Sequence, residues 1–145
     1  MKRVLAVISR FVLVTLFGLS QTSCVMYGTP EVEYEFKGKV MDESSLPIRD
    51  IQVTVQPAHE NDSPFIFTAT TDGAGNFEFK TRIIAWDFPE KVKVIFEDTD
   101  GLENRGEYAK DSLLIGTHQV KKADGWYNGG FVSDDVNMYL KRIDL

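Results

Sequence analysis

The chain has 145 residues, a formal net charge of −6 and a hydrophobic fraction of 43%. A chain of this length forms one domain and buries enough surface for its own core. Its acidic balance, without any cluster of lysines and arginines, argues against nucleic acid as a partner and against docking on anionic lipid through charge.

The first 23 residues have the order of an export signal. Residues 1–10 carry three positive charges and no acid, residues 11–19 are apolar, and small or polar residues follow. The apolar stretch is too short for a membrane-spanning helix, which needs about 20 residues. The sequence therefore predicts a cleavable signal peptide over residues 1–23.

Cys24 is the only cysteine and directly follows this signal. A lone thiol in an oxidising compartment has no internal partner and is open to oxidation and exchange. Its position resembles that of the acylated cysteine in bacterial lipoprotein signals. The resemblance implies export to the cell envelope and a lipid anchor, with the outer membrane of a Gram-negative bacterium as the expected location. The alternative is ordinary cleavage near Thr22, which leaves a free thiol.

Residues 24–33 are predicted to hold the lipidated cysteine and a short tether, because Gly28, Thr29 and Pro30 suit a spacer. Cleavage before Cys24 would remove three basic residues and no acid, giving the mature chain a net charge of −9. A single cysteine also excludes an internal disulfide and a thiolate zinc site. The folded domain is predicted over residues 34–145.

Apolar and polar residues alternate along most of this domain, which is the pattern of half-buried strands. Pro57 ends one such run, and the sequence from Asp72 to Asn76 is a hairpin signal because Gly73 and Gly75 can take positive φ. Residues 83–88 and 112–115 are short apolar pieces that are either edge strands or loops. The predicted strands are 34–41, 51–55, 65–71, 77–80, 91–97 and 136–141, the last of which Val132 can extend.

No segment shows a helical stripe of useful length. Six or seven short strands separated by turn signals predict an all-β fold, an antiparallel β-sandwich. Phe77 and Phe79 are expected to point into its core.

Two stretches resemble the carboxypeptidase regulatory-like domain. The first runs over residues 37–55 and the second over residues 70–79. The residues that carry the resemblance are Gly38, Val40, Asp42, Pro47, Ile48, Ile51, Val53, Val55, Thr71, Asp72, Gly75, Phe77 and Phe79. That family implies a single transthyretin-like Greek-key β-sandwich of about seven antiparallel strands.

A second resemblance covers nearly the whole mature chain. Residues 24–30, the acidic loop 98–107 and residues 125–127 are similar to a group of radical-SAM-associated lipoproteins. The resemblance implies a link to a radical-SAM system and to a modified or exported peptide.

The acidic loop is the clearest candidate for a metal site. Calcium takes six to eight oxygen ligands, and Asp98, Asp100, Asn104 and Glu107 can supply several of them. No cofactor is predicted from the sequence, and a structural calcium ion in this loop is the one candidate. The alternative is an acidic turn between strands.

Trp126, Tyr127 and Phe131 form an aromatic segment interrupted by glycines. If exposed, these side chains give a recognition surface for peptide or sugar, because aromatic rings offer large contact area at low entropic cost. If buried, they fill one end of the sandwich.

Neither a nucleophile elbow nor a phosphate-binding glycine loop is present, and His59 and His118 lack the spacing of a metal-binding helix. The sequence therefore leads to the prediction that the protein is not an enzyme but an envelope binding or structural protein, with an envelope protein or peptide as partner. Two alternatives remain: an envelope hydrolase or peptide-processing accessory enzyme, and a carbohydrate-binding module.

Overall fold

The computed structural model describes residues 28–59, 65–84 and 89–143. The predicted signal peptide and Cys24 lie outside these ranges. The described chain is built of eight strands: β1 (Glu31–Asp42), β2 (Ile51–Pro57), β3 (Phe67–Thr70), β4 (Asn76–Ile84), β5 (Lys91–Asp98), β6 (Asp111–Lys121), β7 (Tyr127–Ser133) and β8 (Val136–Leu140). Within these ranges, no helix has the length and apolar character needed to cross a membrane.

The predicted all-β fold is confirmed, with one strand more than the expected seven. The apolar piece at residues 112–115 is the start of β6, which continues through polar residues to Lys121. Residues 83 and 84 prolong β4. Residues 118–121 and Ile84 are exposed, so these extensions are defined by strand pairing and not by a continuous apolar pattern.

The strands follow the order β3-β2-β5-β6-β7-β1-β4, and β8 also pairs with β1. β6 joins the two halves of the curled sheet, because residues 111–116 pair with β5 and residues 117–121 pair with β7. The two outer strands approach each other where the Phe67 and Phe79 rings lie 5.9 Å apart. The result is a nearly closed sandwich.

Two pairings differ from the expected antiparallel arrangement. β7 and β8 both run parallel to β1, on the same side of it. The register passes from Glu35↔Val132 to Gly38↔Val136, so residues 133–135 lie opposite only residues 36 and 37. The additional residue makes a bulge at Asp134 and Asp135. This bulge separates β7 from β8.

The core lies between the two halves of the sheet. Alternate residues of β1 point inward, with Tyr34 and Phe36 almost completely buried and their rings stacked at 5.9 Å. Phe77 is buried against Phe96, and Phe79 packs against Phe36 at 5.2 Å. The prediction that Phe77 and Phe79 face the core is confirmed.

Candidate functional site

The outer face of the sheet is concave around the bulge between β7 and β8. Three depressions of about 650, 400 and 280 Å³ lie there, and Asp135 borders all three. Asp134 borders the second and the third, and Lys37 borders the first and the second. We call this region the bulge surface. Bulges often redirect side chains next to functional sites.

The charged groups of the bulge surface are loosely paired. Lys37 Nζ lies 3.5 Å from Asp135 Oδ1, and His118 Nδ1 lies 3.9 Å from Asp134 Oδ1. The two aspartate side chains are 70% and 99% exposed. Ion pairs this exposed contribute little to stability, so these groups are available to a ligand at low cost.

The largest depression is lined by polar side chains at neighbouring register positions. Lys39 of β1 is paired with Asn76 of β4 on one side and with Asn137 of β8 on the other. Lys37 and Glu78 are the next pair on the same face. Amides, amines and carboxylates thus converge on one open concavity, which suits a polar ligand rich in hydrogen-bonding groups.

Two buried hydroxyl groups lie beneath the bulge surface. Thr117 of β6 and Ser133 of β7 are paired in register, and Ser133 borders the second depression. Ser133 is only 5% exposed, and neither hydroxyl oxygen has a hydrogen-bond partner among the described residues. Buried polar groups are normally paired, so the Ser133 hydroxyl, at the border of the second depression, is suited to a water molecule or a ligand atom.

Sequence reasoning missed the bulge surface, because its residues come from β1, β4, β6, β7 and β8 and form no motif. The one local signal was the Ser133-Asp134-Asp135 sequence, which interrupts an otherwise continuous alternating run.

The predicted calcium ligands lie at the end of β5 and in the loop after it. Backbone N–H groups already donate hydrogen bonds to the Asp98 carboxylate. Its Oδ1 accepts hydrogen bonds from the N–H groups of Asp100 and Gly101, at 3.2 Å each, and its Oδ2 accepts one from Tyr108 at 2.9 Å. In the part of the chain that the structure describes, no group of three or more His, Cys, Asp or Glu side chains is placed to hold a metal ion. Calcium binding stays a prediction.

Asn104 connects two other carboxylates of this loop region. Its side-chain amide donates to Asp50 Oδ2 at 3.1 Å and also to Asp100. Burial and the neighbouring Asp98 raise the pKa of Asp100. Asp98, Asp100 and Asn104 are therefore brought together, whereas Glu107 uses its backbone carbonyl, which accepts from the Ile143 N–H at 2.8 Å.

The three aromatic candidates occupy different environments. Trp126 is 45% exposed and lies against Gly28, where an added Cβ would come within 2.4 Å of the indole ring. The Tyr127 ring lies beneath Arg82 at 5.7 Å. Phe131 is half-buried and packs against Tyr34 at 6.2 Å. Trp126 alone of the three projects substantially into solvent.

Next to Tyr127, one carboxylate lies among three cations on the outer face of the sheet. Glu33 is only 12% exposed at its side chain; Lys121 lies 2.9 Å from it, Lys80 3.3 Å and Arg82 3.7 Å. The Tyr127 hydroxyl donates to the same carboxylate at 3.3 Å. Hydrogen bonds from Lys121 and Lys80 lower the pKa of Glu33 to about 2. We call this group the Glu33 cluster.

No family model matches the chain, and no curated protein matches it. The carboxypeptidase regulatory-like and radical-SAM-associated resemblances therefore stay predictions. Among solved structures, the chain is similar to 3-chlorocatechol 1,2-dioxygenase from Rhodococcus opacus, with 14% identity over 81% of this chain and a TM-score of 0.50. The chain spans 62% of the length of that enzyme.

Two further solved structures are similar at lower scores. Chlorocatechol 1,2-dioxygenase from Pseudomonas putida matches 84% of this chain and 70% of its own, with 9% identity and a TM-score of 0.49. The dioxygenase domain of a dioxygenase carbohydrate-binding protein fusion from Streptomyces matches 82% and 86%, with 13% identity and a TM-score of 0.49. At these identities the likeness concerns the fold alone.

The comparison corrects the prediction that the protein is not an enzyme. That prediction rested on the lack of catalytic motifs, but the β-sandwich seen here also occurs in a dioxygenase. Catalytic residues in such a fold can come from several strands that are distant in sequence, so the lack of a local motif does not exclude catalysis. The prediction that the protein is not an enzyme is therefore wrong as an exclusion, and fold likeness alone gives no activity for this chain.

Proposed function

We propose that the protein is a lipid-anchored binding protein of the bacterial cell envelope, whose bulge surface takes a polar ligand. The observation that carries the binding role is the convergence of three depressions on Asp135. The second depression is also bordered by Ser133, whose buried hydroxyl has no partner among the described residues. The link to a radical-SAM system rests on the sequence resemblance.

The proposed lipid anchor is Cys24. The short distance in sequence between Cys24 and the start of the folded domain supports this proposal. Pro30 is already buried, and β1 begins at Glu31, seven positions after Cys24. A lipid on Cys24 would therefore hold a folded domain close to the membrane. Each buried methylene contributes about 0.8 kcal/mol, so several acyl chains give stable attachment.

A peptide is the first candidate ligand because two strand edges border the third depression. Residues 111–116 of β6 pair only with β5, and residues 136–140 of β8 pair only with β1, within the described ranges. Leu113 and Ile115 of β6 and Val136 of β8 line the space between these edges. An extended peptide can add its backbone hydrogen bonds to such an edge.

A carbohydrate is the second candidate, favoured by the first depression. Asn76, Asn137 and Lys39 are neighbours on one face there, and amide and amine groups pair well with sugar hydroxyls.

The anchor is tested by mass spectrometry of the protein purified from native membranes. We expect an N-terminal acylated Cys24, and we expect Cys24→Ser to release the protein into the soluble fraction. An unmodified Cys24 in the membrane-purified protein would refute the anchor.

The binding role is tested by screening the purified protein on a peptide array and on a glycan array. We expect one of the two arrays to yield a ligand whose binding weakens in Asp135→Ala and Asn137→Ala. Thr68→Ala, on the exposed face of β3, is the matched control and should bind normally. Hydrogen exchange then separates the candidates, since an added peptide strand slows exchange in residues 112–116 and 136–140. Ligands that bind all three variants equally would refute the assignment of the bulge surface.

A further inference from the structure

The described part of the tether, from Gly28 onwards, is packed onto the domain at one end of the sheet. The Gly28 backbone lies against the Trp126 indole, and the Glu31 N–H donates to the Trp126 carbonyl at 2.8 Å. β1 and β7 begin at this end, and β4 and β6 finish there. We call it the tether end. The position of the chain from Gly28 onwards is thus fixed relative to Trp126.

Apolar side chains are exposed at the tether end. Glu31 of β1 pairs with Ile84 of β4 on one side and with Tyr127 of β7 on the other. Because neighbouring strands lie about 5 Å apart, Ile84 is about 10 Å from the start of β7. Ile84 is 65% exposed, Trp126 45% and Val120, at the end of β6, 54%. We call these three residues the tether-end patch.

The length of the tether limits how far this patch can lie from an anchor. Gly28 is four positions after Cys24, and an extended chain spans at most about 3.5 Å per residue. The acylated residue would therefore lie within about 14 Å of Gly28, and so close to Trp126. Leu102, in the loop after β5, and Tyr139, near the end of β8, lie towards the opposite ends of the strands, whereas Leu114 is midway along β6 and Ile66 directly precedes β3.

We propose that the tether-end patch contacts the surface of the bilayer, with Trp126 in the headgroup region. This inference rests on the proposed lipid anchor and adds a second, protein-mediated contact to it. Tryptophan suits this position because its ring is apolar while its N–H remains hydrogen-bonded at the interface. Ile84 and Val120 add apolar area. The contact is apolar, in keeping with a chain whose charge does not favour anionic lipid.

The contact has a consequence for the orientation of the domain. Attachment at both Cys24 and Trp126 restricts rotation about the short tether. The loop after β5 and the hairpin at residues 72–76 then point away from the membrane, because they lie at the opposite strand ends. The bulge surface, midway along the sheet, is left free for a partner.

The test uses the acylated mature protein, residues 24–145, in phosphatidylcholine vesicles. The chain has two tryptophans, so Trp86→Phe leaves Trp126 as the sole indole. We expect its emission to shift to shorter wavelength in vesicles and to be quenched when the lipid carries bromine on the upper part of its acyl chains. The matched control combines Trp86→Phe and Trp126→Phe with Leu102→Trp, which moves the indole to the opposite end. This control should show neither change.

Each outcome decides the proposal. If mass spectrometry shows acylated Cys24 but Trp126 emission is not quenched, the membrane contact is refuted and the anchor stands. If Cys24 is unmodified, both are refuted. If the shift appears without quenching and depends on protein concentration, Trp126 is covered by a second copy, and the membrane contact is again refuted.

Discussion

Lys121 Nζ lies 2.9 Å from both carboxylate oxygens of Glu33, although 88 residues separate them in the chain. The lysine reaches across β7 above Gly130, where an added Cβ would lie only 3.1 Å from the Lys121 Cβ. Because Gly130 has no side chain, the Lys121 side chain can pass over β7 and connect β6 to β1. This ion pair links β6 to β1 across β7 on the outer face of the sheet.

Replacing Glu33 by Gln should destabilise the protein in a pH-dependent way. The folded-state pKa of Glu33 is about 2, below its ordinary value of 4.5. Its charge therefore stabilises the fold above pH 4.5, and this stabilisation is lost as the pH falls from 4.5 towards 2. We expect the Tm difference between wild type and Glu33→Gln to be largest at neutral pH and to shrink over this window.

A double-mutant cycle with Lys121→Gln is the control for this prediction. The coupling between the two substitutions should be measurable at pH 7 and small once Glu33 is protonated. A Tm difference that does not change with pH would contradict the role assigned to the Glu33 cluster.

Gly38→Ala should be strongly destabilising because the bulge brings backbone close to this position. A Cβ at Gly38 would lie 2.2 Å from the Val136 carbonyl oxygen. Relieving such overlap requires the β1 and β8 backbones to move apart, which typically costs about 1–3 kcal/mol. Urea unfolding measures this loss.

Gly73→Ala is the matched control, since an added Cβ there meets no atom within 4 Å. Its effect should stay within about 0.5 kcal/mol. Equal stability of the two alanine variants would argue against close contact between Gly38 and β8.

Thr71→Val should remove two buried hydrogen bonds that connect the residue after β3 to the start of β2 and to the loop before β2. The Thr71 hydroxyl donates to the Ile48 carbonyl at 2.8 Å and accepts from the Ile51 N–H at 3.0 Å. Valine leaves both backbone groups without these partners, at an expected cost of about 1–3 kcal/mol. Thr71→Ser keeps the hydroxyl and should recover most of the stability in thermal unfolding. A serine variant as unstable as the valine variant would point to methyl packing instead.

Asp98→Ala should loosen the acidic loop, because three backbone N–H groups donate to this carboxylate. We expect a loss of about 1–3 kcal/mol and faster hydrogen exchange at Gly101 and Tyr108. The measurement is made in chelator and repeated with added calcium. If hydrogen bonding alone orders the loop, calcium leaves the wild-type Tm unchanged; a clear rise in Tm would instead support the calcium site predicted from the sequence.

The alternating pattern predicted most strands of this protein because it is local. The residues that form β1, β2 and β5 could be predicted from the sequence, since alternate residues of such strands must face the core. The hairpin at residues 72–76 was equally readable: Asp72 Oδ1 accepts the N–H groups of Ala74 and Asn76, and Gly75 takes a φ of 75°. These features depend on neighbours a few positions away.

The length of β6 and the direction of β7 could not be predicted from the sequence. β6 is polar over its last residues and is defined by its ladders with β5 and β7. The parallel pairing of β7 and β8 with β1 joins the two ends of the described chain, and no local pattern records which strand will be a neighbour.

The sequence by itself determined the strand-rich character of this chain, its principal hairpin and its inward-facing aromatic residues, because each follows from spacing along a few residues. Only the tertiary structure decided that Asp135 stands among three depressions, that Glu33 is surrounded by cations and that Trp126 rests on the tether. The reason is physical: these sites form where distant strands pair, and pairing is selected by the packing of the whole sheet.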